Sequence, residues 1–180
     1  MDSPEAEDAS STPNELPEYA RVEDISRYVA GGYHPIHLGD RIGPDERFEV
    51  HHKLGYSDAS TVWLCLDRKN GRRVAVKVLQ ADKSSESNGE ARAHHLFAPL
   101  THQYLQSKNI FLVEEDFWTE GPNGRHLCLV VQVLGPAISY SLEGVDLDTP
   151  DLLSDLCFQA AQSLQWLHKK EICHGGEKLN

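Results

Sequence analysis

Leu54-Gly55-Tyr56-Ser57-Asp58-Ala59-Ser60-Thr61-Val62-Trp63-Leu64-Cys65-Leu66-Asp67, then Lys69-Asn70-Gly71 and Val74-Ala75-Val76-Lys77, is the stretch that decides the fold. Its flanks alternate and are rich in Val, Leu and Trp, and Asn70-Gly71 supplies the positive φ angles of a tight β-turn. The pattern predicts two antiparallel strands. The second strand continues through Val78-Leu79, so Lys77 is one cation in an otherwise apolar run. Burying such a charge costs free energy unless an anion meets it. At the other end, Gly55 and the small residues after it form a turn whose backbone can approach an anionic group. An ordinary hairpin with an exposed lysine is the alternative reading of this stretch taken alone.

A strand, a turn of small residues, a second strand and then a lysine resembles the glycine-rich loop of protein kinases with its Val-Ala-Ile-Lys, here Val74-Ala75-Val76-Lys77. The resemblance implies that this end of the chain covers ATP, with magnesium as the companion ion. Of the three loop glycine positions, the first is Gly55, the second is Ser57 and the third is Ser60. Ser57 weakens the expected phosphate grip, because a Cβ stands where bare backbone serves best.

Working towards the N-terminus, Arg47 to Leu54 reads as the first strand of a sheet. Before it lies Tyr28-Val29-Ala30-Gly31-Gly32-Tyr33-His34-Pro35-Ile36-His37-Leu38-Gly39-Asp40, where Gly-Gly and His-Pro favour an extended, turning segment. This lead-in resembles that of the SR-protein-kinase family, particularly its fungal relatives, in which the third loop glycine is often serine, as at Ser60. Residues 1–18 hold six acids and no base, with Pro and Ser and little to bury, and are expected to be a disordered tail.

Working towards the C-terminus, Glu90 to Phe97 reads as a short helix ended near Pro99. By resemblance, Glu90 is the glutamate that pairs with Lys77. Ser87-Asn88-Gly89-Glu90 is also a capping box, in which Glu90 bonds the helix N-terminus instead. Ile110–Thr119 and Arg125–Leu134 are two further strands around a turn at Gly121-Pro122-Asn123-Gly124. The expected fold is therefore α+β: a kinase-like small lobe of five antiparallel strands and one helix, followed by the first helices of a truncated large lobe. The expected division is a lead-in at 19–46, the lobe at 47–134 and the hinge exit with the start of the large lobe at 135–180. The resemblance makes Val131 the gatekeeper, and the Gln132 carbonyl and Leu134 amide the partners of adenine. Leu54, Val62 and Ala75 complete the implied ATP site.

Thr149-Pro150-Asp151 opens a helix, with a capping hydroxyl, proline at the first position and an acid at the positive dipole end. Leu153, Leu156, Ala160, Leu164 and Leu167 give it one apolar stripe. Beyond it, Ile172-Cys173-His174-Gly175-Gly176-Glu177-Lys178 resembles the catalytic loop, with Gly176 at the position of the catalytic aspartate. Glycine can neither orient a hydroxyl nor hold a metal ion. No metal-ligating residue is carried over, and this chain is expected to be catalytically incompetent as it stands. Two rival expectations remain: a pseudokinase-like module acting through protein contacts, and a truncated gene model without an independent role. If Gly176-Glu177 is encoded GGT GAG, those codons also read as a splice donor, which predicts an intron after the first base.

Composition limits the partners. With 17 basic and 28 acidic residues the net charge is −11, which argues against nonspecific binding to nucleic acid or an anionic membrane. The N-terminus has neither a basic region nor an apolar core, so no secretory signal is expected, and the longest apolar run, Leu127–Leu134, is too short to span a bilayer. Cys65, Cys128, Cys157 and Cys173 sit singly in apolar segments and read as buried reduced thiols. The resemblance then implies cytoplasm, nucleus or both, with Arg/Ser-rich proteins as substrates. His51-His52 and His94-His95 are adjacent pairs, and neighbours on a strand or helix point apart, so no metal site is expected from them.

Overall fold

The computed structural model describes residues 23–97, 99–135 and 150–172. The acidic segment 1–18, the stretch after the hinge and the Gly176 loop lie outside the described residues. Six strands form one antiparallel sheet: β1 (Arg41–Ile42), β2 (Phe48–Ser57), β3 (Ser60–Asp67), β4 (Arg72–Leu79), β5 (Glu115–Gly121) and β6 (Gly124–Val131). Their order is β1-β2-β3-β4-β6-β5. The five expected strands are present, and the sixth, β1, is a two-residue addition from the lead-in paired at the β2 edge. Strand β5 begins at Glu115 rather than Ile110. Ile110 and Val113 leave the strand pattern to fill the cores beside it.

Among the described residues three α-helices accompany the sheet: α1 (Gly89–Phe97), α2 (His102–Gln106) and α3 (Pro150–His168). The short α2 was not foreseen. Its signal is Thr101, whose side chain accepts a hydrogen bond from the Tyr104 amide. Helix α3 opens at Pro150, the first helical position that the sequence predicts, and its capping residue Thr149 lies outside the described residues.

The period of two sorts the sheet into faces. Val74, Val76 and Val78 of β4 join Phe48, Val50, Trp63, Cys65, Phe117, Cys128 and Val130 in a core closed by Ile36 and Ile42. Leu79, Leu127 and Leu129 pack with Ala91 of α1 and Val113 on the other face. A third cluster, Phe97, Leu105 and Ile110, receives Trp166 and Leu167 from α3. Leu167 of the expected stripe is thus partly covered, whereas Leu164 and the off-stripe Phe158 stay exposed. Burial pushes the Cys65 thiol up to about 12 and raises the Cys128 thiol as well, so both are inert apolar fillers. Cys157 departs from expectation: it is exposed on α3.

The lead-in is tied to the sheet through its glycines. The Gly31 amide donates to Asn123 O (2.8 Å), and the Ala81 and Asp82 amides donate to the Gly32 and Gly31 carbonyls. At Gly32 a Cβ would stand 1.8 Å from Arg27 O, so only glycine fits this close passage of two backbones. Tyr33, 1% exposed, then drops into the interior, with Asn123 Nδ2 on its carbonyl.

Candidate functional site

The loop between β2 and β3 is a two-residue turn. Ser57 pairs with Ser60, leaving Asp58 and Ala59 at the tip, and neither tip residue takes a positive φ. The Ser57 and Ser60 hydroxyls lie 2.9 Å apart, and Ser57 Oγ also accepts from the Ala59 amide. The two serines at the second and third glycine positions therefore hold the turn closed with their own side chains. At Gly55 a Cβ would meet nothing within 4 Å. The fold itself does not require glycine there, and the space above its backbone is open to an approaching group.

Register then gathers the candidate residues. Gly55 is opposite Val62, Val62 opposite Lys77, and Ala75 opposite Val131, and directly opposed residues share a face. Gly55, Val62, Ala75, Lys77 and Val131 therefore lie on one face of the sheet, which is the face α1 covers. Lys77 Nζ donates to Glu90 Oε1 at 2.6 Å. The lysine is about a quarter exposed and the glutamate slightly more, so Lys77 is less enclosed than its apolar neighbours suggest. Exposed pairs of this kind contribute about 0–1 kcal/mol, so this one matters for position more than for stability.

The choice between pairing and capping at Glu90 is decided by Asn88. Its Oδ1 accepts from the Glu90 and Ala91 amides at 3.0 and 3.1 Å, which makes Asn88 the cap of α1. Ser87 instead shares a hydrogen bond with Ser85, and the Glu90 carboxylate is left to Lys77. Sequence reading put the cap one residue early because Ser, Asn and Gly all suit that position.

The remaining candidates stand apart from this pair. Leu54 is exposed beside the loop on β2. Beyond β6, Val133 and Leu134 are exposed, and the Gln132 side chain accepts from Gln106 Nε2 at 2.9 Å. Gly176 lies outside the described residues.

Two residues missed from the sequence touch the loop. Tyr33 Oη donates to Ser57 O at 2.7 Å, and Arg27 Nη1 reaches Asp58 Oδ1 at 3.0 Å. Their signal was the lead-in itself, read for its glycines but not for what it touches. At the base of the lobe, Arg47 bridges the buried Asp67 and Glu115, both partners at 2.8 Å.

No family model matches the chain. Protein kinase dsk1 of Schizosaccharomyces pombe is 33% identical over 155 residues, covering 82% of this chain and 28% of dsk1. SRSF protein kinase 3 of Homo sapiens is 31% identical over 160 residues, covering 84% of this chain and 27% of that one. The chain belongs to the SR-protein-kinase-like family. Serine/threonine-protein kinase SRPK of Physarum polycephalum is similar at 30% identity over 160 residues, 84% of this chain and 36% of that one. The chain thus spans about a quarter to a third of the length of these curated relatives. A solved kinase domain superposes with a TM-score of 0.58 at 19% identity, over 77% of this chain and 39% of the other. In this SR-protein-kinase-like chain the sheet with α1 is therefore the kinase small lobe, and α3 follows it in the chain. Among the described residues, no helix is long and apolar enough to cross a membrane.

Proposed function

We propose that this chain is the ATP-binding lobe of a serine/threonine protein kinase of the SR-protein type, divided as lead-in 19–46, small lobe 47–134 and start of the large lobe 135–180. The observation that carries the reading is the 2.6 Å pair between Lys77 and Glu90 on the face shared by Gly55, Val62, Ala75 and Val131. A lysine held by a helix carboxylate beneath a loop of small residues is the arrangement that aligns nucleotide phosphates. The open space at Gly55 fits such a group. Leu54, Val131 and the backbone of Gln132 and Leu134 would frame the base, and Lys77 with the backbone of the 55–60 loop would hold the phosphates. ATP with magnesium supplies the transferable phosphoryl group, and Arg/Ser-rich proteins in cytoplasm or nucleus would receive it in the whole protein.

Ser57 favours weak binding, because its side chain occupies the turn where bare backbone grips phosphate best. Gly176 favours an inactive chain, since it offers no carboxylate. Together these two residues support a second reading, a pseudokinase-like module acting through protein contacts. Titrating labelled ATP and magnesium against the parent and Lys77→Ala tests the proposal. Weak saturable binding, lost in the variant, is the expected result. Equal binding by both proteins overturns the assignment of Lys77, and no binding at millimolar nucleotide leaves the second reading. Sequencing cDNA across codons 174–180 tests the truncated-gene reading: a spliced product encoding His-Gly-Asp restores the catalytic aspartate, and unspliced message alone removes that idea.

A further inference from the structure

Lys77, Leu129 and Asp116 stand in one row across three neighbouring strands, since Lys77 pairs with Leu129 and Leu129 with Asp116. Their side chains share the face that α1 covers. Two inter-strand spacings separate Lys77 from Asp116 by about 10 Å, and five residues of helix carry Glu90 to His95 over about 7.5 Å. Helix α1 therefore meets the row twice. Glu90 sits on Lys77, and five residues later His95 Nε2 lies 3.3 Å from Asp116 Oδ1. His94, four residues after Glu90, offers a third ligand, and one ligand atom each from His94, His95 and Asp116 lies within 4.8 Å of the others. The adjacent rings do not point apart as their neighbouring positions suggest, and their centroids are 5.2 Å apart.

We propose that His94, His95 and Asp116 form a binding site for a zinc-class divalent ion that fastens α1 to β5. Tetrahedral zinc with bonds of about 2.0–2.1 Å places its ligands about 3.3 Å from one another, which the His95–Asp116 pair already satisfies. His94 closes the remaining gap by a change of side-chain torsion. Solvent takes the fourth position, because His95 is two-thirds exposed. Two imidazoles with one carboxylate suit Zn2+, Co2+, Ni2+ or Cu2+, while Mg2+ prefers oxygen ligands alone. The site is therefore distinct in chemistry from a magnesium–nucleotide site and does not depend on nucleotide binding.

Zinc chloride titrated calorimetrically into the 180-residue chain tests this, in a Cys157→Ser, Cys173→Ser background that removes the exposed and terminal thiols. The expected result is one ion per chain, no response to magnesium, and affinity weakened about tenfold or more by His95→Gln or Asp116→Asn. Zinc should also slow amide exchange over residues 89–97. Cobalt(II) added to the parent provides a check free of variants: the His94 and His95 ring resonances should shift or broaden while those of His51 and His52 stay. Absence of saturable binding, unchanged affinity in both variants, or cobalt effects at His51 and His52 instead would each overturn the proposal.

Discussion

Asp67 is fully buried at the base of the sheet, where Arg47 meets both its oxygens at 2.8 Å and Asn70 Nδ2 adds a third hydrogen bond at 2.7 Å. The Arg47 guanidinium holds this carboxyl well below the usual carboxylate range. Removing one member of such a pair leaves the other charged and enclosed. Asp67→Ala should therefore lower stability by about 3–5 kcal/mol in urea unfolding, and a loss below about 1 kcal/mol would show that Arg47 and Glu115 suffice alone. His34 sets a different dependence on pH. Its ring packs tilted against His126 with centroids 4.7 Å apart, and burial, with the neighbouring imidazole, pushes its pKa down to about 4. Burial lowers His126 too, while its Nδ1 donates to Leu79 O. The folded values lie below the unfolded value of about 6.5, so the unfolded chain takes up protons first as pH falls. The stability is fully present above about pH 6.5 and is lost towards pH 4, where His34 alone removes about 3 kcal/mol. Unfolding measured at pH 7, 5.5 and 4.5 should show this slope and a shallower one in His34→Gln; parallel slopes would assign the loss to other groups.

Among the elements, α1 depends on its cap. Asn88→Ala should cost about 1 kcal/mol, because two amides lose their acceptor, whereas Ser87→Ala should change stability by only a few tenths. Thermal melts of the two variants compare the caps directly, and the reverse order would restore the capping box. The turn at Asn70-Gly71 shows how side chains redirect an element. Gly71 takes the positive φ of 65°, but Asn70 does not; its amide is drawn to Asp67 instead, and the Gly71 amide donates to Asp67 O. The lead-in acts on the loop in the same way. Tyr33 is buried by packing and spends its hydroxyl on Ser57 O. Tyr33→Phe should leave the fold intact and speed amide exchange at residues 57–60, read by mass spectrometry; unchanged exchange would mean that the serine pair alone holds the turn.

At the scale of the molecule, α3 docks through Trp166 and Leu167 and through Ser163 Oγ on Lys108 O at 2.8 Å. Elsewhere along the helix Phe158 and Leu164 are 63% and 40% exposed. Burying such side chains contributes about 1.5–3 kcal/mol each, so this chain should self-associate, and Phe158→Ser with Leu164→Gln should shift sedimentation towards the monomer. A stable monomer of the parent would refute this. Strand alternation, the turn residues, the single lysine in β4 and the spacing of leucines in α3 were all legible along the chain, because they express local periods of two and about 3.6 residues. So was the family, carried by Tyr28 to Asp40 and by Val74 to Lys77. Other features needed the folded chain. Which partner Glu90 takes, how Tyr33 reaches Ser57, and how His94 and His95 come to Asp116 depend on strand register and helix placement, which join residues far apart in sequence. Periodicity fixes the face of a residue within its own element; only packing fixes which face of another element it meets.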